Sequence, residues 1–210
     1  MIPETIDNFS QFSAALLGSA VSGILYLKDR RQPYFVLICF YGCYALASLY
    51  WMLYTILITD EPPMFYVADI GWIACYLFLY LLQASLSRPE ERSFRCRLTW
   101  LAPLTVIPLT LYYISIGNLV YNLIVGVIML LLLRRSLLGF IYWGGQADGA
   151  RGLRAFHLLV IAFVVLENCL WLSSYPWRGD TWSNPYFWID FAVTASSVSM
   201  LPAVRKAVSE

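Results

Sequence analysis

Three carboxylates stand where carboxylates are costly. Asp69, Glu167 and Asp190 each lie inside a different long apolar stretch, so only folding can bring them together. An ionisable side chain within a bilayer marks function by default, because the energy of burying it is otherwise wasted. Counted along helices at 1.5 Å per residue, all three fall roughly 7–12 Å below the same membrane boundary. Helical spacing supplies polar and aromatic neighbours: Trp72 and Tyr76 follow Asp69, Asn168 and Trp171 follow Glu167, and Tyr44 and Trp51 form a matching stripe on the second stretch. Trp188 precedes Asp190 by two residues. No lysine or arginine lies in this half of any apolar stretch, so the acids cannot form internal salt bridges. They carry protons, share them, or receive a cation from outside. Aromatic faces stabilise organic cations, which makes Trp72, Trp171 and Trp188, with Tyr76, the expected walls of an outward-facing cavity for a small cationic ligand.

Other chemistries find less to work with. The sole histidine, His157, lies at the opposite end of its stretch from Glu167, which excludes multi-histidine zinc hydrolases and bis-histidine haem ligation; it reads as an interfacial residue. The two lysines, Lys28 and Lys206, both sit at segment edges, so a retinal Schiff base inside the last stretch is excluded as well. Gly144, Gly145, Gly149 and Gly152 are not followed by Lys-Ser/Thr and do not make a phosphate loop. Cys39, Cys43, Cys75 and Cys169 lie within spans and Cys96 in a loop, which argues against a disulfide framework; the Cys39–Cys43 pair reads as small buried residues rather than metal ligands. No cofactor, metal centre or nucleic-acid surface is expected. A pair of aspartates sharing a proton could still activate water, so an intramembrane acid–base lipid hydrolase using Asp69 and Asp190 stays open.

The elements that must position these residues follow from composition. Of 210 residues, 60% are hydrophobic and 13% charged, more apolar surface than a soluble fold of this size could cover. Seven stretches approach the roughly twenty residues that cross a bilayer: 12–27, 34–58, 64–86, 98–116, 118–134, 155–175 and 185–204. The expected fold is therefore a single all-α domain over 1–210, a seven-helix transmembrane bundle. The acidic first residues lack the basic start of a secretory signal, so the first stretch is expected to be a retained span. It repeats small residues at Ala15, Ser19 and Gly23 and at Ala14, Gly18 and Ser22, a spacing that lets helices approach closely. Pro103 and Pro108 are expected to kink the fourth span, and Gly117–Asn118 to join it to the fifth as a hairpin. Residues 136–145 are expected to form an interfacial helix.

Charge sets orientation. Lys28, Arg30 and Arg31, then Arg88, Arg92, Arg95 and Arg97, then Arg134, Arg135, Arg151 and Arg154, then Arg205 and Lys206 fall on one side. The other side holds Arg178 against Glu4, Asp7, Asp60, Glu61 and Asp180. Basic residues resist translocation, which places the amino terminus outside and the carboxyl terminus in the cytoplasm of a multi-pass bacterial inner-membrane protein. No extramembrane segment is long enough for a soluble domain.

The entry to the third span carries Pro62, Pro63, Ala68, Asp69, Trp72 and Tyr76, with Tyr66 and Leu77 at two positions that differ from the pattern. This stretch resembles the multi-helix membrane sensor modules that precede bacterial diguanylate cyclase, phosphodiesterase or kinase domains. The resemblance implies a sensing role, with the signal passed to a cytoplasmic partner or a second copy of the chain. A fainter likeness, in helix number and paired membrane aspartates, is to lysoplasmalogenase-like hydrolases. The sequence is accordingly read as a sensor or receptor-like module rather than an enzyme, with a proton- or cation-coupled small-solute transporter as the alternative beside the hydrolase.

Overall fold

The computed structural model describes residues 2–58, 67–146, 150–174, 176, 179 and 181–210. Asp60, Glu61, Pro62, Pro63, Tyr66, Arg178 and Asp180 lie outside the described residues. The described chain is all-helical: α1 Ile2–Asp29, α2 Gln32–Ile58, α3 Val67–Leu86, the short α4 Pro89–Ser93, a 3-10 turn Arg97–Trp100 leading into α5 Leu101–Ile116, α6 Leu119–Gly144, α7 Arg151–Ser174 and α8 Pro185–Ser209. Seven of these segments are long and apolar enough to cross a membrane, and α4 is the exception.

Successive long helices run antiparallel, so the bundle has two chemically distinct ends. The acid end gathers the start of α1, α3, α6 and α8; the basic end gathers their other termini. Helix α1 packs on both α2 and α8, α3 on α2 and α6, and α7 on α6 and α8. The small-residue repeat in α1 makes the first of these contacts possible. Gly18 lies against the Tyr41 ring, where an added Cβ would come within 2.9 Å, and Ser19 donates to the Ile38 carbonyl at 3.3 Å. The turn from α1 to α2 needs only two residues, because Arg30 takes a left-handed conformation (φ 52°) and its N–H bonds back to the Tyr26 carbonyl at 2.8 Å.

Asn118 caps α6 by accepting from the Tyr121 N–H at 3.0 Å, and Asn122 Nδ2 donates to the Tyr113 carbonyl at 3.0 Å, which closes the expected α5–α6 hairpin. Pro103 sits in the first turn of α5, where a missing N–H has no helical partner to lose, while Pro108 is internal. Gly152 lets α7 lie directly on the α8 backbone at Lys206 and Ala207, and the Glu210 carboxylate accepts from its N–H at 3.0 Å and 3.1 Å.

Two boundaries differ from the sequence expectation. The first helix begins ten residues earlier than 12–27 implies, at Ile2, taking Asp7 and Gln11 into the bundle. Residues 136–145 do not turn along an interface. α6 continues through them as one helix to Gly144, because Ser136, Gly139 and Trp143 face the core at helical spacing and pack against α3, α4 and α7.

Candidate functional site

At the acid end the polar side chains converge on α1, a helix that carries none of the residues expected from sequence to form the site. Asp7 and Gln11 stand four residues apart on one face of α1, and both are buried. The Gln11 amide donates to Asp190 Oδ1 at 2.8 Å and to the Tyr44 hydroxyl oxygen at 3.0 Å. Its carbonyl oxygen accepts from the Ser48 hydroxyl at 2.7 Å. A single amide thus ties α1 to α2 and α8. The Asp7 and Asp190 carboxyls lie within hydrogen-bonding reach of each other, and Tyr186 adjoins both. A carboxyl–carboxyl hydrogen bond requires a proton between the two groups, since two carboxylates are acceptors only.

Glu167 is buried one layer away. It adjoins Asp190 and takes a hydrogen bond from Tyr76. Tyr121 neighbours both Glu167 and Asp69. Asp69 is half-buried in the first turn of α3. The acids therefore form a chain, Asp7–Asp190–Glu167, with Asp69 joined to it beside Tyr121. Among the described residues no group of three His, Cys, Asp or Glu side chains is arranged to hold a metal ion.

The aromatic residues take several roles. Tyr44 and Tyr76 are buried, and their rings pack with Phe40 and Phe163 at centroid distances of 6.3 Å and 6.0 Å, filling the space among α2, α3, α7 and α8. Trp51 and Trp72 pair with each other at 5.7 Å, both half-buried. Trp171 packs on Tyr121 at 6.0 Å, and Asn168 Nδ2 donates to the Val164 carbonyl at 2.8 Å. Glu167, Asn168 and Trp171 border a cavity of about 20 Å³ between α5, α6 and α7, room for little more than one water centre. Trp188 is 59% exposed and packs at a tilt against Trp182 and Phe191. Its assignment to a cavity wall is corrected for a simple reason: two residues of helix turn a side chain by about 200°. With Asp190 facing α1, Trp188 must face outward.

The basic end holds a second buried cluster, again unread in the sequence. His157 is 0% exposed rather than interfacial, because Gly139 leaves its ring a slot on α6 that any Cβ would block. Its Nε2 stands 3.5 Å from Glu91 Oε1. Glu91, on α4, is 1% exposed and accepts from the Ser87 hydroxyl at 2.8 Å and the Trp143 indole N–H at 2.9 Å. Arg135 Nε donates to Ser87 at 3.2 Å, and the Arg88 guanidinium covers the Trp143 ring at 5.1 Å. One turn deeper, Gln83 donates to Ser136 and to the Leu132 carbonyl at 3.3 Å. Burial alone pushes the Glu91 carboxyl up, but His157, the Trp143 indole and the Ser87 hydroxyl outweigh it and hold the group below its ordinary value of 4.5.

The signal for the acid-end cluster is present in the residue spacing, and that for the basic-end cluster is not. Asp7, Gln11, Ala15 and Ser22 continue one helical stripe on α1. Glu91 gave no such periodicity, since α4 is a single turn outside the spans. Comparison with family models, with curated proteins and with solved structures returns no match.

Proposed function

We propose that the chain is a non-catalytic membrane module that seats one small positive charge, a proton or a small cation, in the acid cluster of α1 and α8 and reports it through helix packing. The observation that carries this reading is the pairing of Asp7 with Asp190, held by Gln11, with no lysine or arginine in the acid-end half of any helix. Two facing carboxyls attract one positive charge and reject none. The tight packing of Tyr44, Tyr76, Phe40 and Phe163 favours an occupant smaller than the organic amine that the aromatic residues alone suggested. The distribution of Lys and Arg supports an orientation with this cluster near the outer face and the carboxyl terminus in the cytoplasm. A sensing role agrees with the resemblance at Ala68, Asp69, Trp72 and Tyr76; a cytoplasmic partner or second copy of the chain would receive the signal. A lipid hydrolase at Asp69 and Asp190 needs water and a substrate chain at both acids, and the burial of Asp190 speaks against that.

A transporter coupled to protons or cations is the second reading, favoured by one feature. Helix α7 carries a buried ionisable group toward each end, Glu167 and His157, separated by Val160, Phe163 and Val164, all buried. Such a packed layer is where an alternating gate would lie.

Calorimetric titration of the purified full chain with lithium, sodium, potassium and methylammonium chlorides tests the proposal. One equivalent should bind competitively with protons, and Asp190→Asn should abolish binding while the protein stays folded. Steady ion flux by the chain in liposomes would favour the transporter, and binding unchanged in Asp190→Asn would refute the assignment.

A further inference from the structure

At the basic end a cleft of about 620 Å³ opens where the α1–α2 turn meets the last turns of α8. This is the size of a ligand site. Arg31 enters it from the turn, Arg205 and Lys206 from α8, and Asp29 is the one acid on its wall. Three cations against one carboxylate leave two positive charges facing the same space. Among the described residues, the side chains of Arg31, Arg205 and Lys206 make no ion pair or hydrogen bond.

Helix dipoles account for part of this arrangement. Arg205 and Lys206 lie in the last turn of α8, where cations are favoured. Arg31 is different. It directly precedes α2, whose amino-terminal N–H groups already present positive potential, so a cation there is disfavoured unless an anion joins it. Tyr34 adds a neutral donor to the same wall. Its ring is buried and it lines the cleft, next to Asp29, Arg31 and Arg205, and its hydroxyl hydrogen-bonds to no described residue. The hydroxyl is therefore free to donate to an acceptor that enters the cleft.

We infer that this cleft is a binding site for a phosphate-bearing anion, the chemistry shared by an acidic phospholipid headgroup and a soluble phosphate ester. Arg31 offers a planar fork to two phosphate oxygens, Arg205 and Lys206 add charge, and the Tyr34 hydroxyl donates from the floor. The apolar edge at Pro202 and Val208 would lie along an acyl chain if the phosphate belongs to a lipid. Basic pockets between membrane helices on the side rich in Lys and Arg hold anionic headgroups in this way. The site is separate from the acid cluster at the other end of the bundle, and its occupancy does not depend on that reading.

The test uses the full chain in neutral detergent. Phosphatidylglycerol, phosphatidylcholine and inorganic phosphate are added in separate arms, with melting temperature and lipid retention in native mass spectrometry as readouts. Phosphatidylglycerol should raise the melting temperature and be retained, and phosphatidylcholine should not. Protection by inorganic phosphate as well would identify a soluble ester as the source; its failure to protect would identify the headgroup. The triple variant Arg31→Gln, Arg205→Gln, Lys206→Gln should lose affinity by roughly fivefold for each charge removed. The triple variant Arg95→Gln, Arg97→Gln, Arg134→Gln, exposed cations outside the cleft, should keep it. Tyr34→Phe keeps the ring and should weaken binding roughly three- to tenfold with an unchanged melting temperature in the absence of ligand. The inference is overturned if neither anion protects, if the two triple variants lose equally, or if Tyr34→Phe binds as the wild type does.

Discussion

The two ends of this bundle bury carboxyl groups in opposite ways. At the basic end Glu91 accepts from two donors, a serine hydroxyl and an indole N–H, with the His157 Nε2 3.5 Å away and Arg135 bonded to that serine. At the acid end Asp190 has a single amide from Gln11 and faces another acid, Asp7. A buried charge that is fully hydrogen-bonded serves as a structural anchor, and removing it strands its partners. A buried acid facing another acid is satisfied only when a positive charge comes between them. In the first arrangement both carboxylate oxygens have donors; the second is where we propose that a positive charge sits. Burial alone does not separate a carboxylate held by donors from one that faces another acid. The number and sign of the partners does.

The largest effect should come from breaking the Glu91 cluster. Glu91→Ala leaves the Trp143 N–H, the Ser87 hydroxyl and His157 facing a void, and should destabilise the protein by about 3–5 kcal/mol, measured by denaturant unfolding in mild detergent. Opening the other end should cost less. Gln11→Leu removes one donor group serving two oxygens and one acceptor serving Ser48, a loss of about 2 kcal/mol in the same assay, since polar contacts between membrane helices are individually modest.

Acid separates the clusters further. The Glu91 carboxyl is held below its ordinary 4.5 in the folded protein, so its contribution is present in full above that pH and is lost as pH falls below it through the folded value. A stability profile between neutrality and strong acid should therefore drop below about pH 4.5 in the wild type, and Glu91→Gln should flatten that drop. The smallest effect on stability belongs to Asp190→Asn. The amide keeps the shape, still accepts from Gln11, and can donate to Asp7 without a shared proton. Its unfolding free energy should lie within about 1 kcal/mol of the wild type.

These contrasts also mark what the sequence made legible. The seven long segments and their antiparallel order are plain in apolar length, because a helix must satisfy its own backbone before it can enter lipid. The inward placement of Glu167, Asp190, Tyr44 and Tyr76 follows from helical spacing on those segments. Asp7 and Gln11 escaped because hydropathy counts a polar residue against a span, and so trims from a helix its most informative turn. Trp188 was drawn to Asp190 by nearness in sequence, although neighbours two apart on a helix face opposite ways. Glu91 and His157 were unreadable for a different reason. They meet only because α4 folds back over the end of α6, and nothing local to either residue encodes that contact.

The central claim is that the acid end lacks one positive charge and the basic end does not. Supplying the charge covalently tests this most directly. Asp7→Lys places an ammonium opposite Asp190, with a stem long enough to reach toward the helix end. Melting temperature should be followed against pH and against small-cation concentration in the variant and the wild type. The variant should fold and be at least as stable as the wild type, with its response to both proton and cation gone. A variant that unfolds, or that responds as the wild type does, would contradict that claim.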